Sequence, residues 1–135
     1  MNRKPYLALA DVKTIAAAAE AEALANNWAV SIAIVDDGGH LLWQQRLDGA
    51  PPVSSYIAPA KANTAALGRR ESKIYEDVVN NGRMSFLSAP KLEGMLEGGV
   101  PVIVDGHVIG AVGVSGVKSE QDVQIARAGI AALGA

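Results

Sequence analysis

GGVPVIVDGHVIGAVGVSG, residues 98–116, reads as two β-strands joined by a tight turn. Residues 100–104 are apolar, interrupted only by Pro101. Asp105-Gly106 follows, the dipeptide that most readily supplies the positive φ angles of a two-residue hairpin turn. Residues 107–115 form the second strand. Val108, Ile109, Ala111, Val112 and Val114 put apolar groups on both of its faces, so it belongs inside a sheet covered on both sides. Gly110, Gly113 and Gly116 recur at every third position. Glycine weakens a strand, so this spacing points to a neighbour packed close against the backbone: a helix, a second subunit or a ligand.

Working outward, residues 29–35 and 40–47 form an earlier hairpin around the turn signal Asp36-Asp37-Gly38-Gly39. Residues 1–7 read as a tail or an oligomer arm. A helix over 9–26 presents Val12, Ile15, Ala16, Ala19 and Ala23 at helical spacing. A second helix over 54–67 has Ser54 or Ser55 as its cap and Pro59 near its first turns. A short helix over 72–79 ends at Asn80-Asn81-Gly82, and residues 83–97 are irregular. In that stretch Met84, Phe86, Leu87, Leu92, Met95 and Leu96 are the expected anchors on the core. The last helix covers 120–133, with Asp122 completing a capping box from Ser119. Strands in hairpins and helices between them make an α+β chain with a mainly antiparallel sheet.

At 135 residues the length is that of one domain. Half of the residues are hydrophobic but only 4% are aromatic, so small side chains must pack helices closely on the sheet. The net charge of −2 without a basic patch argues against nucleic acid as a partner. With no cysteine there is no disulfide, thiolate nucleophile or Cys-type metal site. There is no apolar run long enough to span a membrane and no signal-peptide pattern, so a soluble, cytoplasmic protein is expected.

Several residues carry candidate chemistry. Lys61 shares a stripe with Ile57 and Thr64. Its amine either sits in a cleft, ready for a carboxylate, or snorkels with its stem on the core. Arg46 and Asp48 enter a Gly/Pro loop; Arg46 can clamp a carboxylate, or the two pair with each other. Glu93 and Glu97 flank Gly94 near the central hairpin. His40 and His107 each follow a turn and are either metal or haem ligands or plain edge residues. Ser115 and Ser119 lack a nucleophile elbow. The glycines of GAVGVSG, residues 110–116, do not match a dinucleotide fingerprint and are read as close packing.

Together GGVPV, the Asp-Gly turn, IGAVGVSG, Asp122 and IARAGI (residues 125–130) resemble the GlcG/HbpS/PduO-C-terminal family, often labelled haem-degrading or haem-binding. AIVDDGGHLL (residues 33–42), Arg46-Leu47-Asp48-Gly49-Ala50 and A-x-x-K-A-x-T-A (residues 58–65) extend the likeness over nearly the whole chain. The resemblance implies a profilin-like fold, a three-layer α/β/α arrangement in a single domain over residues 1–135. It implies a small-ligand-binding accessory protein, with haem or a corrinoid held by a homo-oligomer; on that reading the candidate ligand-binding residues of this chain are His40, Thr64, His107 and Ser115. Members that bind haem can use a histidine of the first helix. Here that helix has Glu20 and Glu22 and no histidine, which leaves His40 and His107. Members also occur beside catabolic genes. This implies an alternative: a metal-independent hydrolase or isomerase acting on a small unsaturated carboxylate, such as an aromatic ring-cleavage product. Arg46 and Lys61 would hold the carboxylate, with Asp48 or Glu93 as base. A third reading is a purely structural, assembling protein.

Overall fold

The computed structural model describes residues 1–134. The elements run α1 (Leu9–Ala25), β1 (Ser31–Asp36), β2 (Leu41–Arg46), α2 (Ser54–Gly68), α3 (Ser72–Asn80), β3 (Gly99–Val104), β4 (His107–Ser115) and α4 (Ser119–Ala131). A short 3-10 helix, Met84–Ser88, lies between α3 and β3. The strands form one antiparallel sheet in the order β2-β1-β4-β3. β4 is thus interior, as its two apolar faces require. Asp105 and Gly106, at φ 51° and 77°, turn the central hairpin.

Side chains alternate across β1 and divide the core into two layers. Ile32 and Ile34, with Val112 and Val114 beside them on β4, face α1 and α4 and join Val12, Ile15, Ala19, Ile125 and Ala126 in one cluster. Ala33 and Val35 face α2, against Ala58, Ala62, Ala65, Ala66 and Ala111. The fold is therefore α+β in three α/β/α layers. Burial of Ile15, Ile32, Ile34 and Ile125, all at 0% exposure, stabilises the first layer by roughly 1.5–3 kcal/mol each. The second layer works by proximity instead. A Cβ on Gly113 would stand 2.1 Å from the Ala58 carbonyl oxygen and 2.6 Å from the Ala62 nitrogen. The close neighbour expected of the strand glycines is, at this position, α2.

Pro59 lies inside α2 and removes the N–H that would bond the Ser55 carbonyl. Gln44 of β2 donates its Nε2 to that carbonyl at 2.6 Å, so the helix continues with the oxygen satisfied.

Four local expectations are corrected. Val53, not a serine, occupies the N-cap of α2; Ser54 Oγ donates to the Pro51 carbonyl and shares a hydrogen bond with Ser31 Oγ. At the start of α4 the Lys118 N–H donates to Gln121 Oε1, so Gln121 supplies the reach-back expected of Asp122. Of the six expected anchors in the 83–97 stretch only Met95 is buried; Phe86 and Leu92 are half-buried, and Met84, Leu87 and Leu96 are exposed. Residues 1–7 are not merely a tail, because Leu7 is 8% exposed and joins the α1/α4 layer. Among the described residues no helix is long and apolar enough to cross a membrane.

Candidate functional site

Lys61 projects from α2, on one face of the sheet, and Asp122 from α4, on the other. They meet at the end of the sheet where β3 begins. A Cβ on Gly98, whose φ is +138°, would stand 2.6 Å from Lys61 Nζ, so glycine there leaves room for the ammonium. Lys61 Nζ donates to the Val114 carbonyl at 2.9 Å and to Asp122 Oδ2 at 3.2 Å. The two side chains are 5% and 3% exposed. Asp122 Oδ1 accepts the Val117 N–H at 3.3 Å. Burial raises the Asp122 carboxyl, Lys61 and the Val117 N–H lower it and Glu97 adds a smaller upward push, and the balance leaves it at about 6. The bond to the residue just before the α4 N-cap therefore accounts for one Asp122 oxygen and leaves out the other, which holds Lys61. The two residues are 61 positions apart; only the fold joins them, and no local sequence signal marks the pair.

The remaining candidates do not gather around Lys61. Thr64 is fully buried and its Oγ1 accepts the Gly94 N–H at 3.0 Å, tying the 94–99 segment to α2. Ser115, 6% exposed, stands opposite Ser31 in the β1–β4 ladder. Glu93 and Arg46 are exposed. Asp48 is exposed beside a shallow hollow of about 430 Å³ that it shares with Glu20, Leu24, Asn27, Trp28 and Leu47.

The two histidines differ in their surroundings. His40 is exposed and its Nδ1 lies 3.1 Å from Asp36 Oδ1. His107 lines a concavity of about 470 Å³ with Lys4, Arg69, Ile103, Gly106 and Val108. Asp37, in the β1–β2 turn, gathers both cations: its carboxylate accepts from Lys4 and its carbonyl from Arg69. Lys4 holds the Asp37 carboxyl below the usual carboxylate range. Lys4 and Arg69 escaped the sequence reading because one lay in an apparent tail and the other read as a helix stop. Among the described residues no group of three or more His, Cys, Asp or Glu side chains is arranged to hold a metal ion.

Comparison with known proteins places this geometry in a family. The family model described as "Haem degrading protein HbpS-like" matches residues 7–131. Protein GlcG of Escherichia coli K12 is 57% identical over 115 residues, which span 85% of each chain. Among solved structures, a PduOC:Heme complex is similar at a TM-score of 0.86 and 34% identity, covering 95% of both chains. HbpS is similar at a TM-score of 0.89 and 31% identity, covering 100% of this chain and 95% of that one. The α+β sheet, its glycine-spaced central hairpin and these matches agree: the chain belongs to the HbpS-like family that includes GlcG and the PduO C-terminal domain.

Proposed function

We propose that this chain is a small-ligand-binding accessory protein whose ligand is a tetrapyrrole, haem or a corrinoid, and that it works as a homo-oligomer. The observation that carries the reading is the likeness to the PduOC:Heme complex, which extends over 95% of both chains. The residues present fit such a group. α1 holds no histidine, but His107 offers an imidazole for a metal, with Lys4 and Arg69 in the same concavity for acidic substituents. When bound, the tetrapyrrole supplies its own metal chemistry; the protein supplies a nitrogen ligand, apolar contact and charge.

Self-association is supported by the outer side of α2. Val53, Tyr56 and Leu67 are exposed, and Lys61, the one charged residue between Ala50 and Gly68, is buried. An uncharged surface bearing exposed large apolar groups is suited to a second protein surface.

The hydrolase or isomerase reading has no comparable support. Lys61 is committed to Asp122 and Val114, while Arg46, Asp48 and Glu93 are exposed on separate segments.

Native mass spectrometry and an absorption spectrum of freshly purified protein, followed by hemin and cobalamin titration, test the proposal. The expected result is a multimer that binds haem saturably with a shifted Soret band. A colourless multimer that leaves the spectra of both hemin and cobalamin unchanged would sink it.

A further inference from the structure

We infer that the concavity between the β1–β2 turn and the tip of the β3–β4 hairpin seats haem, with His107 as the iron ligand and Lys4 and Arg69 facing the propionates. The inference rests on the tetrapyrrole reading above and narrows it to one ligand and one place.

Imidazole nitrogen is a standard ligand of haem iron, and the chain offers only two histidines. His40 is a real competitor. A carboxylate on one ring nitrogen is the arrangement commonly found behind a metal-bound histidine, and Asp36 supplies it. What His40 lacks is a wall: it lines none of the three described concavities, and its side chain is 80% exposed. His107 has the surroundings that a flat, amphipathic macrocycle needs. Ile103, 54% exposed, and Val108 offer apolar contact beside it. At Gly106 an added Cβ would meet nothing within 4 Å, so there is open space in front of the hairpin tip.

Charge then selects the ligand. The chain carries a net charge of −2, yet this concavity is lined by two cations and by no carboxylate. Arg69 is held for the purpose: Nη1 donates to the Ala66 carbonyl at 2.9 Å and to the Asp37 carbonyl. Both are neutral acceptors, so those two bonds leave its other N–H groups available; the nearby Asp37 carboxylate, which Arg69 helps to hold ionised, is the one counter-charge that a propionate would have to outcompete. Lys4 would exchange the Asp37 carboxylate for a propionate. Haem has two carboxylates on one edge, whereas the rim of a cobalamin is made mainly of neutral amides. Two cations lining one concavity with an imidazole therefore favour haem.

The test is titration of ferric protoporphyrin IX into the wild-type chain and the variants His107→Ala, His40→Ala and Arg69→Ala, read by the Soret band and by affinity. His107 and Arg69 are both exposed, so neither substitution opens the core. His107→Ala should lose the wild-type Soret position, and added imidazole should restore it. Arg69→Ala should bind about tenfold more weakly with the band unmoved, as expected for losing a charged hydrogen bond away from the iron. His40→Ala should match the wild type. If His40→Ala rather than His107→Ala moves the band, or if no variant does, the site is wrong while haem binding stands. If the wild-type chain does not bind ferric protoporphyrin IX, the haem site falls; binding of cobalamin in its place would leave the tetrapyrrole reading standing, and binding of neither would sink both.

Discussion

Lys61→Met should destabilise the fold by about 3–5 kcal/mol, because it leaves the Asp122 carboxylate buried without its cation. That is a large part of the roughly 5–15 kcal/mol that separates a typical native domain from its unfolded chain. The Val114 carbonyl also loses its donor. The double variant Lys61→Met with Asp122→Leu should recover most of the loss, since two apolar side chains of similar volume often replace a buried pair at little cost. Urea unfolding of the two single variants and the double variant measures both effects. If the double variant is no more stable than Lys61→Met, the Asp122 charge is not the cause.

The same pair sets a pH dependence whose sign is unusual for a carboxylate. The Asp122 carboxyl is raised from 3.8 to about 6 in the folded chain, chiefly by burial. The folded state thus holds a proton that the unfolded state has released. The penalty is full above about 6 and is relieved as the pH falls from there towards 3.8. Asp122→Asn removes this titration. The stability of the wild type relative to Asp122→Asn should therefore rise on acidification from about pH 7 to about pH 4, by up to about 3 kcal/mol. A difference that stays flat, or that falls on acidification, would contradict the assignment.

What was legible in the sequence depended on how far apart the interacting residues lie. The central hairpin could be read because its signals, an Asp-Gly turn between apolar runs, act over a few residues. The interior place of β4 followed from its two apolar faces. The buried face of α1 followed from helical spacing. The Lys61–Asp122 pair joins two helices on opposite sides of the sheet, and each residue alone has an adequate local explanation: a snorkelling amine and a helix cap. The His107 concavity was half legible. The histidine stood out after its turn, but Lys4 and Arg69 reach it only because Asp37 draws both cations to the same end of the sheet. The stretch around 83–97 failed for a different reason. Its large apolar residues suggested a core anchor, yet only Met95 is buried, and Phe86 instead stacks on Tyr75 with ring centroids 5.4 Å apart.

Gly113→Ala should destabilise the chain by about 3 kcal/mol, at the upper end of the usual overpacking range. In an ordinary strand the same change would help slightly, because alanine has less backbone freedom to lose on folding. Here the new methyl would meet the Ala58 carbonyl oxygen and the Ala62 nitrogen, both backbone atoms of α2. Rotamer changes cannot move them, so the whole helix must shift. Trimming a neighbour therefore should not help: Ala62→Gly in the Gly113→Ala background should leave the urea midpoint low, and recovery there would mean that the contact is with the side chain. A shift of α2 also has a specific consequence, because Lys61 is the residue before Ala62. Moving the helix off the sheet draws its ammonium away from the Val114 carbonyl and Asp122. Gly113→Ala and Lys61→Met should then be non-additive, the double variant losing less than the sum of the single losses. Strict additivity would mean that sheet spacing and the buried ion pair are independent, and that α2 absorbs the extra methyl without disturbing the strap between the layers.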